Sequence, residues 1–406
     1  MGISKGANER KKSYKIIQPR REEKAMKGRF IFLWIIVFMF TVSLTPYGDA
    51  AEVVKIGVIG PMTGGLAYFG TNWKMGVDMA VSQINDRGGI EVAGKRYSLE
   101  TVGYDDENKV EKAVAGVRKL AALDRVPVIM GPLASGMTLA GLSVNEKERV
   151  LIFTTATHPD ITRKGNKLVV RIVPTTDIMF PNLAKAAIQY KKWKTVAILA
   201  NSDEQGRSAA AIFTAAFSRE GGKVLAQEFS EHRSTTDFYA QVTKMKALNP
   251  DVLMIFGHDE PTALIIKQAR EVGWQGPFMF AESFHKKGIE LAGAKNVEGA
   301  LLVVGIIDLE RPPYLKLRAD FQAKFGSKAR LEPYSVISYD STYMAAYAMQ
   351  KAGTVTDPYK IREAVPKILP FKESVYERTS VDETGQGWGP IFVGELRDGK
   401  PMVIAE

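Results

Sequence analysis

Short apolar runs alternate with amphipathic stretches along most of this chain, and that alternation restricts it to a few α/β folds. The run 53–59 (VVKIGVI) predicts a buried strand, and 71–85 places Trp73, Val77 and Ile84 at helical spacing. Further strands are predicted at 97–103, 127–130 and 151–154. Strands that alternate with helices in this way favour βαβ units and a parallel sheet.

The pattern begins again near residue 168 and predicts a second α/β sheet. Its strands are expected at 195–200, 224–228, 251–256 and 277–281. The elements beyond residue 300 contain too few strands for a third domain, so we expect them to complete the first two. We predict an α/β protein of two Rossmann-like lobes with parallel sheets, joined by a three-crossing hinge. The predicted first lobe is 51–173 plus 303–375, and the second is 174–302 plus 376–406.

The segment 26–51 has the features of a secretory signal. Lys27 and Arg29 precede the apolar stretch 30–44, Pro46 ends it, and 48–50 supplies small residues for cleavage. We therefore treat 1–50 as an N-terminal extension and signal peptide, with Met26 as the true start, and expect a periplasmic protein. The alternative is that the same apolar stretch stays uncleaved as a membrane anchor.

Charge and cysteine content exclude several classes of function. The net charge is +10, but residues 1–50 carry +6 of it, so 51–406 is nearly balanced. This gives no reason to expect nucleic acid as a partner, since such binders show a concentrated basic face. The chain has no cysteine, which rules out disulfides, thiolate metal sites and a lipidated cysteine after the signal.

The loop after the first strand, 60–70, is rich in glycine and ends in Tyr68 and Phe69. It lacks the Gly-Lys-Ser/Thr ending of a phosphate loop and the spacing of a dinucleotide fingerprint. We expect Phe69, with Tyr68 or Trp73, to form an apolar wall over a small ligand. The alternative is a turn whose aromatic rings pack on the surface.

Hydroxyl groups follow the third and fourth strands. Ser135 lies in GPLASGMT at a predicted helix start, where free N–H groups and the helix dipole favour a carboxylate. It could equally be a plain N-cap serine. The run 154–159 (TTATHP) offers hydroxyls and carbonyls that could accept hydrogen bonds from an ammonium.

In the second lobe, Glu282 ends an apolar strand, where a carboxylate is costly unless it is paired. A cationic ligand group or a neighbouring Lys or Arg could be its partner.

Catalytic motifs are missing: the sequence has neither a G-x-S-x-G elbow nor H-E-x-x-H. The run 258–260 (HDE) is a weak metal candidate, because three adjacent residues do not all face one point. We expect no enzyme, no cofactor and no metal.

Together, several segments resemble the exported solute-binding proteins of branched-chain amino acid ABC transporters, which have the type I periplasmic binding fold. They are VKIGVIGPMTG, INDRGGI (84–90), YDDENK (104–109), GPLAS (131–135), TTATHPDIT (154–162) and QAREVGWQGPFM (268–279). The resemblance runs in order from about Val53 to the C-terminus. It implies that Ser135 binds the ligand α-carboxylate. It also implies that the Thr155 carbonyl, Thr157 and Glu282 bind the α-ammonium.

Three positions depart from the family pattern. Phe69 and Gln205 stand where the family's amino acid binders often have tyrosine, and His258 stands where an aromatic residue is expected. These changes make the second-lobe side of the pocket more polar, so the ligand could be an amino acid, an amide or another small carboxylate.

From this resemblance we expect an extracytoplasmic solute-binding protein that delivers its ligand to an ABC permease with cytoplasmic ATPases. The alternative is a ligand-sensing receptor module of the same fold for an amide, urea or aromatic acid. A hydrolase is disfavoured by the missing nucleophile and metal motifs.

Overall fold

The computed structural model describes residues 52–232, 235–304, 311–376, 380–389 and 391–405, all within one unit of the chain, Ala51–Glu406. The predicted signal segment and the proposed start at Met26 lie outside the described residues.

The first sheet has six strands in the order β2-β3-β1-β4-β5-β6. Its central strands are parallel, and only β2 is antiparallel to its neighbour β3. The strands are β1 (Glu52–Gly60), β2 (Ile90–Val92), β3 (Lys95–Asp105), β4 (Val128–Met130), β5 (Leu151–Thr154) and β6 (Val169–Arg171). The short strands β4, β5 and β6 are buried throughout, as expected for apolar runs in a parallel sheet covered on both faces.

Helices connect these strands and place their N-termini at the carboxyl ends of the sheet. They are α1 (Ala67–Asp86), α2 (Val110–Arg118), α3 (Ser135–Leu142) and α4 (Asp160–Arg163). A π-helical turn, Lys119–Leu123, extends α2, and a 3₁₀ turn, Gly64–Leu66, precedes α1.

The second sheet combines a parallel centre with an antiparallel edge formed by β14 (Phe392–Arg397) and β15 (Lys400–Ala405), in the order β15-β14-β11-β10-β9-β7-β8. The parallel strands are β7 (Thr195–Asn201), β8 (Lys223–Ser230), β9 (Val252–Phe256), β10 (Phe278–Phe280) and β11 (Leu301–Val304). The helices of this lobe are α5 (Thr176–Lys185), α6 (Glu204–Arg219), α7 (Tyr239–Ala247), α8 (Asp259–Glu271) and α9 (Lys286–Ala292). A π-helical turn, Ala186–Tyr190, extends α5, and a 3₁₀ turn, Ala294–Val297, follows α9.

The chain then returns to the first lobe. Helices α10 (Pro312–Phe325), α11 (Pro333–Ala352) and α12 (Pro358–Ala364), with a 3₁₀ turn at Val365–Ile368, supply side chains to the first core. Helices α1 and α11 cross closely at Gly76, where an added Cβ would lie 2.1 Å from the Ser335 carbonyl oxygen. Glycine is therefore required at that crossing.

The last elements complete both lobes. They are β12 (Ser380–Val381), β13 (Gly387–Trp388), β14 (Phe392–Arg397) and β15 (Lys400–Ala405). Strands β14 and β15 extend the second sheet in antiparallel fashion. The sequence analysis missed β2, β12 and β13, which are only two or three residues long. It also missed β15, an edge strand whose residues are exposed or half-buried.

The prediction of two α/β lobes with parallel sheets joined by three crossings is confirmed. The chain passes between the lobes after β6, after β11 and again before β14. The exact lobe boundaries stay a prediction. Because Tyr376 and Val381 belong to the first core, we propose that the third crossing lies between Trp388 and Phe392.

Candidate functional site

Ser135 begins α3, but it does not cap that helix. The preceding residue, Ala134, is the extended N-cap, and Ser135 is the first helical residue. Its side chain is only 2% exposed, and its Oγ has no hydrogen-bond partner among the described residues. A buried, unpaired hydroxyl at the positive end of a helix dipole is a suitable contact for an anionic group.

The Pro132 carbonyl, in the loop before α3, holds the turn that carries Ser135. Pro132 O accepts hydrogen bonds from Thr138 Oγ1 at 2.9 Å and from Thr154 Oγ1 at 2.8 Å. Thr138 belongs to α3 and Thr154 to the end of β5. The two hydroxyls therefore tie the Ser135 turn to the strand that leads into the threonine-rich loop.

Thr157, Gln205 and Glu282 meet where the lobes face each other. Thr157 Oγ1 donates to Glu282 Oε1 at 3.1 Å, and Gln205 Nε2 lies 3.0 Å from both of those oxygens. Thr157 comes from the first lobe, whereas Gln205 and Glu282 come from the second. The structure thus brings together three of the residues that the sequence singled out.

Glu282 keeps one oxygen unused. Its Oε2 is buried and has no hydrogen-bond partner among the described residues, and no lysine or arginine in that part of the chain pairs with it. Burial raises the pKa of Glu282 above its usual value, and hydrogen bonds from Thr157 and Gln205 oppose that shift only in part. A donor or cation supplied from the cleft would complete this carboxylate.

Thr155 is buried directly after β5, 8% exposed. Within the described residues its side chain makes no hydrogen bond to the Thr157–Glu282 pair. The role expected for it is through the backbone carbonyl.

The fully buried Arg171, which the sequence analysis missed, anchors the loop that carries Thr157. The Arg171 guanidinium donates to the carbonyls of Ala156 and His158, and to Thr162 Oγ1 at 2.8 Å. Burial lowers the pKa of Arg171 to about 9. The feature of the sequence that could have identified Arg171 is a single charged residue inside the apolar run 168–173 (LVVRIV).

The same arginine connects this loop to the third crossing. Arg171 Nε donates to Gln386 Oε1 at 2.7 Å, and Gln386 Nε2 donates to the Val173 carbonyl at 2.9 Å. The loop that carries Thr157 is therefore anchored to the chain segment that runs back toward the second lobe.

Aromatic rings from both lobes pack beside the site. The Phe69 ring centre lies 5.2 Å from that of His258 and 5.2 Å from that of Tyr334, and Tyr68 packs edge-on against Phe69 at 5.7 Å. Tyr334, from α11, was not identified from the sequence because nothing local distinguishes it from a core residue. Trp73 is fully buried in the first core, so Tyr68 is the neighbour of Phe69.

The weak metal candidate at 258–260 is engaged in ion pairs. Asp259 Oδ1 accepts from the His285 backbone N–H at 2.6 Å, and Oδ2 lies 3.5 Å from His285 Nδ1. Burial opposes ionisation of Asp259, but the hydrogen bonds from His285 lower its pKa overall. Glu260 pairs with Lys287. Among the described residues no three metal-ligating side chains cluster together.

A small cavity in the second lobe opens beside Gln205 and His258. The Phe180 and Phe256 rings and Asn201 also line it. It lies next to Glu282, whose sequence neighbours Ala281 and Ser283 form part of its wall.

In the part of the chain that the structure describes, no helix has the length and apolar character needed to cross a membrane.

Comparison with known proteins gives a consistent result. Residues 53–401 match the family model described as periplasmic binding protein. The leucine-, isoleucine-, valine-, threonine- and alanine-binding protein of Pseudomonas aeruginosa is 29% identical over 79% of this chain and 83% of its own length. The Leu/Ile/Val-binding protein of Escherichia coli is 28% identical over 62% of this chain and 67% of its own.

Among solved structures, a leucine-binding protein LivK from Thermotoga maritima is 25% identical, with a TM-score of 0.76 over 87% of this chain and 98% of that one. LivJ from Streptococcus pneumoniae in complex with isoleucine is 22% identical, has a TM-score of 0.77 and covers 87% of this chain and 100% of its own; it shares the fold. The family model matches most of the chain, and the two lobes match solved members, so this chain belongs to the periplasmic binding protein family.

Proposed function

We propose that this protein captures a small amino acid in the cleft between its lobes, as the solute-binding component of an ABC importer. One observation carries the proposal: two buried polar atoms, Ser135 Oγ and Glu282 Oε2, lack partners among the described residues. One is a hydroxyl at a helix N-terminus, and the other belongs to a carboxylate. A zwitterion supplies the carboxylate for the first and the ammonium for the second.

The remaining site residues have roles that follow from their places. The ammonium would lie against Glu282, Thr157 Oγ1 and the Thr155 carbonyl. The aliphatic or aromatic part of the ligand would pack against Phe69, Tyr68 and His258. The relatives named above support this class of ligand, since their names state that they bind leucine, isoleucine, valine, threonine or alanine.

Ligand capture would couple to lobe closure. Thr157 belongs to one lobe and Glu282 to the other, so an ammonium that contacts both binds the closed form more tightly than the open form. The closed, loaded protein would then deliver the ligand to a membrane permease served by cytoplasmic ATPases. The segment 26–51 would direct the chain out of the cytoplasm, and the missing cysteine leaves no site for a lipid anchor after it.

A thermal-shift screen of the full chain against the twenty amino acids, their amides and small carboxylates tests the proposal. A ligand present at about 100 times its Kd adds about 2.7 kcal/mol to the free energy of unfolding and raises Tm. We expect at least one small amino acid to raise Tm, and Ser135→Ala and Glu282→Gln each to reduce that shift. If no amino acid raises Tm, or if both variants respond like the wild type, the proposed function is wrong.

A further inference from the structure

Gln205 already contacts two of the oxygens beside which the ligand ammonium would lie. Its Nε2 lies 3.0 Å from Thr157 Oγ1 and 3.0 Å from Glu282 Oε1. An amide nitrogen and an ammonium both donate hydrogen bonds, but the amide carries no charge. The site therefore contains its own neutral donor next to the position of the ammonium.

The turn that presents Gln205 is held in place by its neighbours. Asp203 caps α6 by accepting the Gly206 N–H at 2.9 Å, and Asn201 Nδ2 donates to the other Asp203 oxygen at 2.6 Å. Residue 206 must be glycine, because a Cβ there would lie 2.1 Å from the Asn201 carbonyl oxygen. Gln205 thus extends from a fixed helix start toward the cleft.

We propose that Gln205 is a specificity-determining residue that lets this pocket accept carboxylates without an α-ammonium as well as amino acids. The inference rests on the proposed function, because both ligand classes use the site formed by Ser135, Thr157 and Glu282.

The physical reason is the cost of an unsatisfied acceptor. With Thr157 and Glu282 alone, a ligand that lacks an ammonium leaves the buried carboxylate short of donors, which is unfavourable. Gln205 supplies a donor in that state. Burial of Glu282 also favours its protonated form, which needs no cation beside it.

An amino acid can still bind with Gln205 in place. Gln205 and Thr157 both use Oε1 of Glu282, whereas Oε2 is buried and has no partner in the described part of the chain. The ligand ammonium donates to Oε2, beside the amide. Gln205 therefore narrows the difference in affinity between an amino acid and its analogue without the amino group.

Titration calorimetry with matched ligand pairs tests this inference on the full chain. The pairs are L-leucine with 4-methylpentanoate, L-phenylalanine with 3-phenylpropanoate and L-alanine with propanoate. Gln205→Met keeps the side-chain length and removes both N–H donors. Gln189→Met is the control, because exposed Gln189 makes a similar contact, from Nε2 to Glu220 Oε2 at 2.9 Å, away from the site.

In the wild type we expect the members of at least one pair to differ by no more than about tenfold in Kd. In Gln205→Met the ratio of the two Kd values should increase by at least about tenfold, because the ammonium-free ligand binds more weakly. This is expected when a buried acceptor loses its donor. Gln189→Met should leave the ratio unchanged.

A smaller widening in Gln205→Met, or a wild type that binds amino acids but no ammonium-free partner, would overturn the inference and leave the proposed function intact. A wild type that binds no member of any pair would also overturn the inference, whereas the proposed function fails if none of the twenty amino acids raises Tm.

Discussion

Thr157 Oγ1 lies 3.1 Å from Glu282 Oε1, although the two residues are 125 positions apart and belong to different lobes. This contact joins the end of β5 in the first sheet to the end of β10 in the second. In open parallel sheets ligands bind beyond the carboxyl ends of the strands. The Thr157–Glu282 contact therefore marks where the two ligand-facing edges meet.

Replacing Glu282 by alanine should weaken binding of a zwitterionic amino acid by about 2–5 kcal/mol, as loss of one partner of a buried charge pair does. Calorimetry on the full chain measures this change. Glu111→Ala, an exposed position at the start of α2, serves as the control. Equal affinity in wild type and Glu282→Ala would remove Glu282 from the ammonium site.

Removing the Ser135 hydroxyl should affect carboxylate ligands selectively. We expect Ser135→Ala to weaken an amino acid by about 1–3 kcal/mol, and the corresponding amino acid amide by much less, because a charged acceptor gains more from the hydroxyl. Ser143→Ala is a matched control, since Ser143 is exposed at the other end of the same helix. A loss of similar size for acid and amide would argue against a carboxylate contact.

The fold and the Thr157–Glu282 contact follow from local patterns in the sequence. The apolar runs identified the parallel strands, and the polar residues just after them included Ser135, Thr157 and Glu282. Because strand ends converge at one edge of a sheet, the positions of these residues in the sequence predict that they lie near a common cleft, and the structure brings Thr157 and Glu282 into contact there.

What the sequence could not provide are contacts between distant segments. Tyr334 reaches the Phe69 ring from a helix that begins more than 260 positions later, and no local pattern distinguishes it from the buried tyrosines of α11. Arg171 acts through carbonyl groups that become its partners only when the loop folds over it. The contacts of Gln205 likewise depend on how the lobes face each other.

Arg171 should be required both for stability and for the shape of the ammonium site. Arg171→Lys keeps the charge but lacks the fork of five donors, so it should lower the free energy of unfolding by about 2–4 kcal/mol. Denaturant unfolding measures this loss, and Arg163→Lys, at an exposed position, is the control.

The folded fraction of Arg171→Lys should also bind amino acids more weakly, because the carbonyls on either side of Thr157 lose their anchor. A stable Arg171→Lys protein with wild-type affinity would show that the loop holds its shape without the guanidinium.

Asp106 should make the protein less stable as pH rises. Burial raises the pKa of Asp106 to about 6, and its Oδ2 has no hydrogen-bond partner among the described residues. Between about pH 4 and pH 6 the folded state holds a proton that the unfolded state releases, so the free energy of unfolding falls as pH increases. Asp106→Asn should abolish this slope and stabilise the protein by about 1–2 kcal/mol at pH 7.

Urea unfolding of wild type and Asp106→Asn from pH 4 to pH 8 measures the difference. Asp86→Asn, at an exposed position near the end of α1, should leave the slope unchanged. Parallel stability curves for wild type and Asp106→Asn would show that Asp106 ionises normally in the folded state.

His232 should produce the opposite slope over nearly the same range. Burial lowers the pKa of His232 to about 4, and in the described residues neither ring nitrogen has a hydrogen-bond partner. As pH falls from about 6.5 to 4, the unfolded state takes up a proton that the folded state resists, so stability decreases. His232→Leu should remove up to about 3 kcal/mol of this acid-induced loss.

In the wild type the effects of Asp106 and His232 on the pH dependence of stability therefore partly cancel. The double variant Asp106→Asn with His232→Leu should resemble the wild type in its pH dependence more closely than either single variant does. If His232→Leu instead loses stability toward pH 4 as steeply as the wild type, the acid sensitivity arises from another group.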